Sequence, residues 1–240
     1  VSDFIHPDLG AIKKSIESNE QRFVTIINPN DILSQFNVFQ LVILYQPNNK
    51  FNKLIEILMY LFSEQGDAKA PAVRLFGSGT ILLEAIAAAA MLVEDYGVRV
   101  QVWSLTSATE LARDIQDVGR WNLLHPTSEP KHAYVAQCMN ENAGKKWMGT
   151  PVIAVSDYMK ALSEQLRSAI DAPFHVLGTD GFGRSDTREK LRHFFEVDRR
   201  FIVLAALGQL LRAGKIDAKL VEKAQADLQL NAEKSNPRLV

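Results

Sequence analysis

The sequence is short of several things at once. A single cysteine, Cys138, stands in 240 residues, so an intrachain disulfide and any multi-cysteine metal site are excluded, and a reducing, cytoplasmic compartment is the natural setting. An excess of either charge is also missing. Lys and Arg number 27 against 28 Asp and Glu, a net charge of -1, which lacks the basic footprint of a nucleic-acid binder and suits an anionic membrane no better. The most apolar run, Ile81 to Val93, contains Glu84 and is too short to span a bilayer; it reads as a helix buried in a core. No signal peptide is visible. Val1 opens directly into a polar segment, as expected of a chain that begins inside a longer protein. His125, His132 and His193 form no pair with zinc-site spacing. Ser78 lacks the G-x-S-x-G elbow of a serine hydrolase. Cys138, in an apolar run, reads as an inert thiol.

What is present is an apolar fraction of 47%, enough for one large domain or two small ones. Strand-like and helix-like segments alternate, which points to a three-layer, Rossmann-like α/β fold with a mostly parallel sheet. Asp8 to Asn19 reads as a helix, Arg22 to Ile27 as a strand, and Phe39 to Tyr45 as a strand buried on both faces. Phe51 to Phe62 has helical periodicity, with Leu54, Ile55, Leu58, Leu61 and Phe62 on one side. The polar stretch Ser63 to Pro71 suggests a boundary, dividing a small α/β segment (1–66) from a main domain (67–240). Beyond it, strands are expected at 73–76, 99–105, 134–138, 151–155 and 174–177. Helices are expected at 80–95, 109–121, 157–170 (capped by Ser156 or Asp157), 186–194, 198–213 and 217–228, with Gly97 stopping the first.

Two loops lie where α/β proteins often carry chemistry. Gly77-Ser78-Gly79-Thr80 joins a strand to a helix, but position 82 is Leu and no phosphate-loop Lys follows, so a tight turn without a ligand is the better reading. Asp180-Gly181-Phe182-Gly183-Arg184-Ser185-Asp186 also follows a strand and precedes a helix. Its glycines suit an unusual backbone, and Ser185 or Asp186 can cap the helix. Arg184, Arg188 and Arg192 can meet carboxylate, phosphate or an interface partner. A loop held by its own cap and ion pairs explains the pattern equally well. His193, among aromatics, reads as packed and hydrogen-bonded. Glu110, Arg113, Asp114, Asp117 and Arg120 line a charged helical face, solvated or in an interface beside Trp121.

From about Ala72 to Val240 the chain resembles the C-terminal domain of homodimeric-type bacterial pyruvate dehydrogenase E1. The stretches that carry the likeness are VRLFGSGTIL (73–82), VWSLTSATELARDIQDVGRWNLLHP (102–126), SDYMK (156–160), VLGTDGFGRSDTREKLRHFFEVD (176–198) and NPRLV (236–240). The resemblance implies a transketolase-like α/β domain within an enzyme that uses thiamine diphosphate and Mg²⁺ to decarboxylate pyruvate and passes the two-carbon unit to lipoyl groups of the E2 component. It implies a homodimer, in which this domain supports assembly and the surroundings of the site. The GDG-containing segment that binds Mg²⁺ and diphosphate in such enzymes is missing, as is the glutamate region that activates the thiazolium. The resemblance therefore carries over no catalytic, cofactor-binding or metal-ligating residue, and no cofactor is expected in this chain alone. Asp180, Phe182, Arg184, Ser185, Asp186, Arg188, His193, Glu110, Arg113 and Asp117 are candidates for interface or structural-loop roles. Residues 1–66 depart from the family and faintly resemble half of a flavodoxin-like or amidotransferase-like domain. Two alternatives remain open here: a stand-alone dimerisation or binding module, and a chimeric chain whose N-terminal segment binds a small ligand.

Overall fold

The computed structural model describes residues 58–141 and 147–239. The chain divides into two compact units, Val1–Asn49 and Lys50–Val240; the described residues all belong to the second. The helix and strands expected before residue 50 lie outside the described residues.

Five strands form one sheet: β1 (Met59–Gln65), β2 (Ala72–Gly77), β3 (Arg99–Leu105), β4 (Val152–Val155) and β5 (Phe174–Leu177), in the order β1-β3-β2-β4-β5. The pairings from β3 through β2 and β4 to β5 run parallel, and β1 lies antiparallel on β3 with a register shift between Leu61 and Ser63. The helices are α1 (Leu82–Glu94), α2 (Ala108–Leu124), α3 (Tyr134–Ala136), α4 (Lys160–Glu164), α5 (Arg188–Phe194), α6 (Arg199–Arg212) and α7 (Ala218–Asp227).

The parallel strands are apolar almost throughout because both faces are covered. On one face Val73, Leu75, Val100, Val102, Ile153 and Val155 meet Ala85, Ala88 and Leu92 of α1 and Ile202, Ala206 and Leu210 of α6. On the other, Phe76, Trp103, Leu105, Ala154 and Val176 meet Leu111 of α2, Val135 and Leu166. The three-layer α/β arrangement with a mostly parallel sheet is thus the one expected.

Four local expectations are corrected. Residues 59–62 are strand, not helix: Phe62 packs on one face of the sheet while Met59 and Leu61 pack on the other, the two-residue alternation of a strand that β3 enforces by pairing. β1 belongs to the unit that begins at Lys50 and pairs with β3. Tyr134–Ala136 is helical and continues into a wide turn through Glu141; Val135, Cys138 and Met139 are buried together at helical spacing. The helix expected over 157–170 shrinks to α4 and a tight turn at Arg167–Ala169. The Ser156 hydroxyl accepts from Tyr158 N–H instead of capping it.

Candidate functional site: the loops at the carboxyl edge of the sheet

The connection from β2 climbs to α1 on one face, whereas that from β4 leads to α4 on the other. Their loops part between β2 and β4, the position where open α/β sheets place ligands. The first loop is Ser78-Gly79-Thr80. A Cβ on Gly77 would stand 2.7 Å from Leu82 Cα, so glycine there lets β2 and α1 approach. Gly79 adopts φ +56°, and the Thr80 hydroxyl reaches Asp157 Oδ2 at 3.4 Å.

The DGFGRSD loop is fastened on two sides. The Asp180 carboxylate accepts from Lys160 N–H at 3.0 Å and so caps α4. Thr179 donates through its backbone N–H to Tyr158 O and through its hydroxyl to Asp157 O. A Cβ on Gly178 would stand 2.6 Å from Tyr158 O, and one on Gly181 (φ +118°) 2.6 Å from Pro237 O. The SDYMK segment, the loop and the NPRLV ending therefore pack as one body. Gly183 has open space where a Cβ would be.

The residues of this loop divide. Phe182 is 80% exposed. Arg184 lies over the Phe194 ring at 4.2 Å. Ser185 is exposed, and Asp186 accepts from Thr187 N–H and lies 3.8 Å from Lys190. The cap of α5 is neither of these but Thr187, whose hydroxyl accepts from Lys190 N–H. Arg188 is exposed, without an ion pair or hydrogen bond among the described residues. Arg192 turns inward to Glu84 at 2.8 Å. Arg184, Arg188 and Arg192 are thus not one free basic face.

The strongest electrostatics lie beneath. Glu84, 6% exposed in the first turn of α1, accepts from Arg192, from Arg199 N–H at 3.1 Å and from the Arg199 guanidinium at 2.9 Å. Burial pushes its pKa up, but the Arg199 hydrogen bonds and the charges of Arg199 and Arg192 outweigh it, leaving the carboxyl below its ordinary value. Asp198 caps α6 through Arg200 and Phe201 N–H, pairs with the Arg200 guanidinium and lies 3.0 Å from His193 Nδ1. His193 is packed against Phe201 and hydrogen-bonded. Lys234 donates to Phe194 O and pairs with Glu196, which holds φ +63°.

Elsewhere, Glu110 and Arg113 of α2 pair with each other and Asp117 is exposed on the same helix. Asp114, beside them, accepts from Tyr134 N–H at 2.7 Å. Trp121 stacks on His125 at 4.3 Å and takes Lys131 at 4.0 Å from its ring. Arg74 of β2 is 1% exposed; it donates to Met139 O at 2.7 Å and to Trp147 O. Its Nε has no hydrogen-bond partner among the described residues. Burial brings the guanidinium pKa down to about 10. Of these engaged groups, Glu84 left a trace in the sequence, since a charge within an apolar helix must find partners, and His193, Arg192 and the Glu110–Asp114 face also stood out; Lys234 and Arg74 gave no comparable local signal.

The loop does not fit a metal-diphosphate site. The Asp180 carboxylate is taken by Lys160 N–H, and Pro237 O occupies the space beside Gly181. Among the described residues no group of three or more His, Cys, Asp or Glu could hold a metal ion, and no helix is long and apolar enough to cross a membrane.

The model of the transketolase-like TK C-terminal domain family matches residues 59–198. The chain belongs to that family. The transketolase-like domain is 52% identical over 168 residues to the pyruvate dehydrogenase E1 component of Escherichia coli K12, a match covering 70% of this chain and 18% of that protein. It is 49% identical over 183 residues to the E1 component of Cupriavidus necator, covering 76% and 20%. The match therefore spans about a fifth of the length of these curated relatives. Among solved structures, transketolase from Leishmania mexicana gives 18% identity and a TM-score of 0.42, covering 72% of this chain and 21% of that one. A split-gene transketolase β4 tetramer gives 15% identity and 0.42, covering 70% and 46%.

Proposed function

We propose that this chain serves as the C-terminal domain of a pyruvate dehydrogenase E1, supporting assembly and the surroundings of an active site built by other domains. The observation that carries the reading is the fastening of the DGFGRSD loop. The blocks that carry the resemblance, SDYMK, GTDGFGRSD and NPRLV, pack against one another where only glycine fits, at Gly178 and Gly181, while Asp180 and Asp186 accept from backbone N–H groups and Thr179 donates to Asp157 O. Such a body shapes a surface. On this reading thiamine diphosphate and Mg²⁺ are held by the remaining domains of the enzyme, which decarboxylates pyruvate and delivers the acetyl unit to lipoyl groups of E2. The assembly is a cytoplasmic homodimer, and the chain by itself is inactive.

The test is reconstitution. An E. coli E1 lacking the matching C-terminal segment, mixed with this chain, should regain acetyl transfer to a lipoyl acceptor. The chain alone should show no calorimetric binding of thiamine diphosphate with Mg²⁺. Tight binding by the isolated chain, or no rescue despite correct folding of both parts, would contradict the proposal.

A further inference from the structure

β5 ends the sheet, and beside it α6, the end of α7 and the chain that follows α7 enclose a cleft of about 290 Å³. That volume is close to the lower bound of ordinary small-molecule sites. Its outer wall is fixed. Lys234 donates to Phe194 O at 2.7 Å and pairs with Glu196 at 2.9 Å. Leu230 N–H donates to Gln225 O at 3.3 Å, and the Leu230 side chain packs on the core with Phe201 and Leu204.

The lining combines two kinds of surface. Leu177, Phe201, Leu204 and Leu230 supply apolar area, and His175, Gln225 and Asn231 supply polar groups. The His175 ring and the Gln225 amide are half-buried and have no hydrogen-bond partner among the described residues. Asn231 uses its side-chain oxygen to accept from Glu233 N–H at 2.9 Å, which leaves its amide protons as donors. Half-buried polar groups without partners give up hydration and gain no bond; one molecule in the cleft can satisfy all three.

The charges select the sign of that molecule. Glu196, the carboxylate in the lining, is matched by Lys234. From the surrounding elements Lys160 and Arg212, and more weakly Arg167, act on His175 as cations, opposed by Glu164. With its burial they favour the neutral ring. An anion in the cleft meets a positive field and free donors, whereas a cation is repelled by the same groups.

We propose that this cleft binds a short-chain monocarboxylate, with its hydrocarbon tail against Phe201, Leu204 and Leu230 and its carboxylate received by the His175 ring and the amides of Gln225 and Asn231. NMR titration of the full chain with sodium hexanoate tests it. Saturable shifts should appear at His175, Gln225 and Leu230. Hexanamide, which keeps the shape and loses the charge, should bind about tenfold more weakly or worse. A bound anion favours the protonated ring, so wild-type affinity for hexanoate should rise about threefold or more between about pH 7.5 and about pH 6. His175→Gln should remove that pH dependence, and Gln225→Leu should weaken binding several-fold at every pH. Unchanged far-UV circular dichroism shows that both variants keep the fold. The absence of saturable shifts at these residues overturns the proposal. So does hexanamide binding as tightly as hexanoate, or a pH dependence that survives His175→Gln. The walls named here all belong to this domain, so these outcomes are independent of reconstitution with truncated E1.

Discussion

Glu84 concentrates the electrostatics of the domain in one side chain. Its carboxylate joins α1 to α5 through Arg192 and to α6 through Arg199. Breaking a buried pair costs about 3–5 kcal/mol, but the Arg199 side chain is half exposed, and with screening Glu84→Gln should cost about 2–3 kcal/mol in urea unfolding. The sign of the pH effect is set by the lowered pKa. The contribution is complete above the ordinary carboxylate value and disappears as pH falls through the depressed one. His175 adds an earlier acid limb. Burial, then the charges of Lys160 and Arg212, hold its pKa below the ordinary value. The folded state therefore resists protonation, and stability falls as pH drops below about 6.5. His175→Gln should flatten the curve from neutrality downward, and Glu84→Gln only in the more acid range. Arg74 is the second residue whose burial has consequences. Arg74→Met should cost about 2 kcal/mol, because it strands the carbonyls of Met139 and Trp147, and hydrogen exchange should quicken around both.

Among the elements, the loop after β5 makes a sharp distinction between glycines. Gly178→Ala pushes a methyl into Tyr158 O, and Gly183→Ala meets nothing within 4 Å. The first should destabilise by about 1–3 kcal/mol and the second by less than about 0.5, read from urea midpoints. In the sequence the loop's glycines look alike, because a close approach depends on which strand and tail arrive from elsewhere. Legibility at this scale divides the same way. β3, β5 and α6 are readable, since continuous apolar runs and a capping Asp198 act locally. β1 misleads because Leu58, Leu61 and Phe62 satisfy a helical period while Met59 and Leu61 satisfy a strand's, and only pairing with β3 decides. Local reading offers Ser156 or Asp157 as the cap of α4, whereas the cap comes from Asp180, twenty residues beyond Lys160 in the chain.

For the whole molecule, the C-terminal tail acts as a strap. Lys234 ties Phe194 O and Glu196, and Pro237 closes on Gly181. Lys234→Met, or deletion of residues 231–240, should loosen the loop without dissolving the sheet. Trypsin would then cut after Arg184 or Arg188 several-fold faster while far-UV circular dichroism stays nearly unchanged. The parallel sheet and three layers could be foreseen from alternating elements, and the family from ordered blocks of residues. The ion-pair centre could not, because Glu84 and Arg199 are joined only after both helices have docked on the same face of the sheet.

The strand order has its own outcome in time. β2, central in the sheet, leaves the ribosome before either of its neighbours, and Arg74 must wait for Val152 to find its register partner. Until then an apolar central strand has an open side. Growth of the nascent chain, rather than the local preference of β2, sets how long that side stays uncovered.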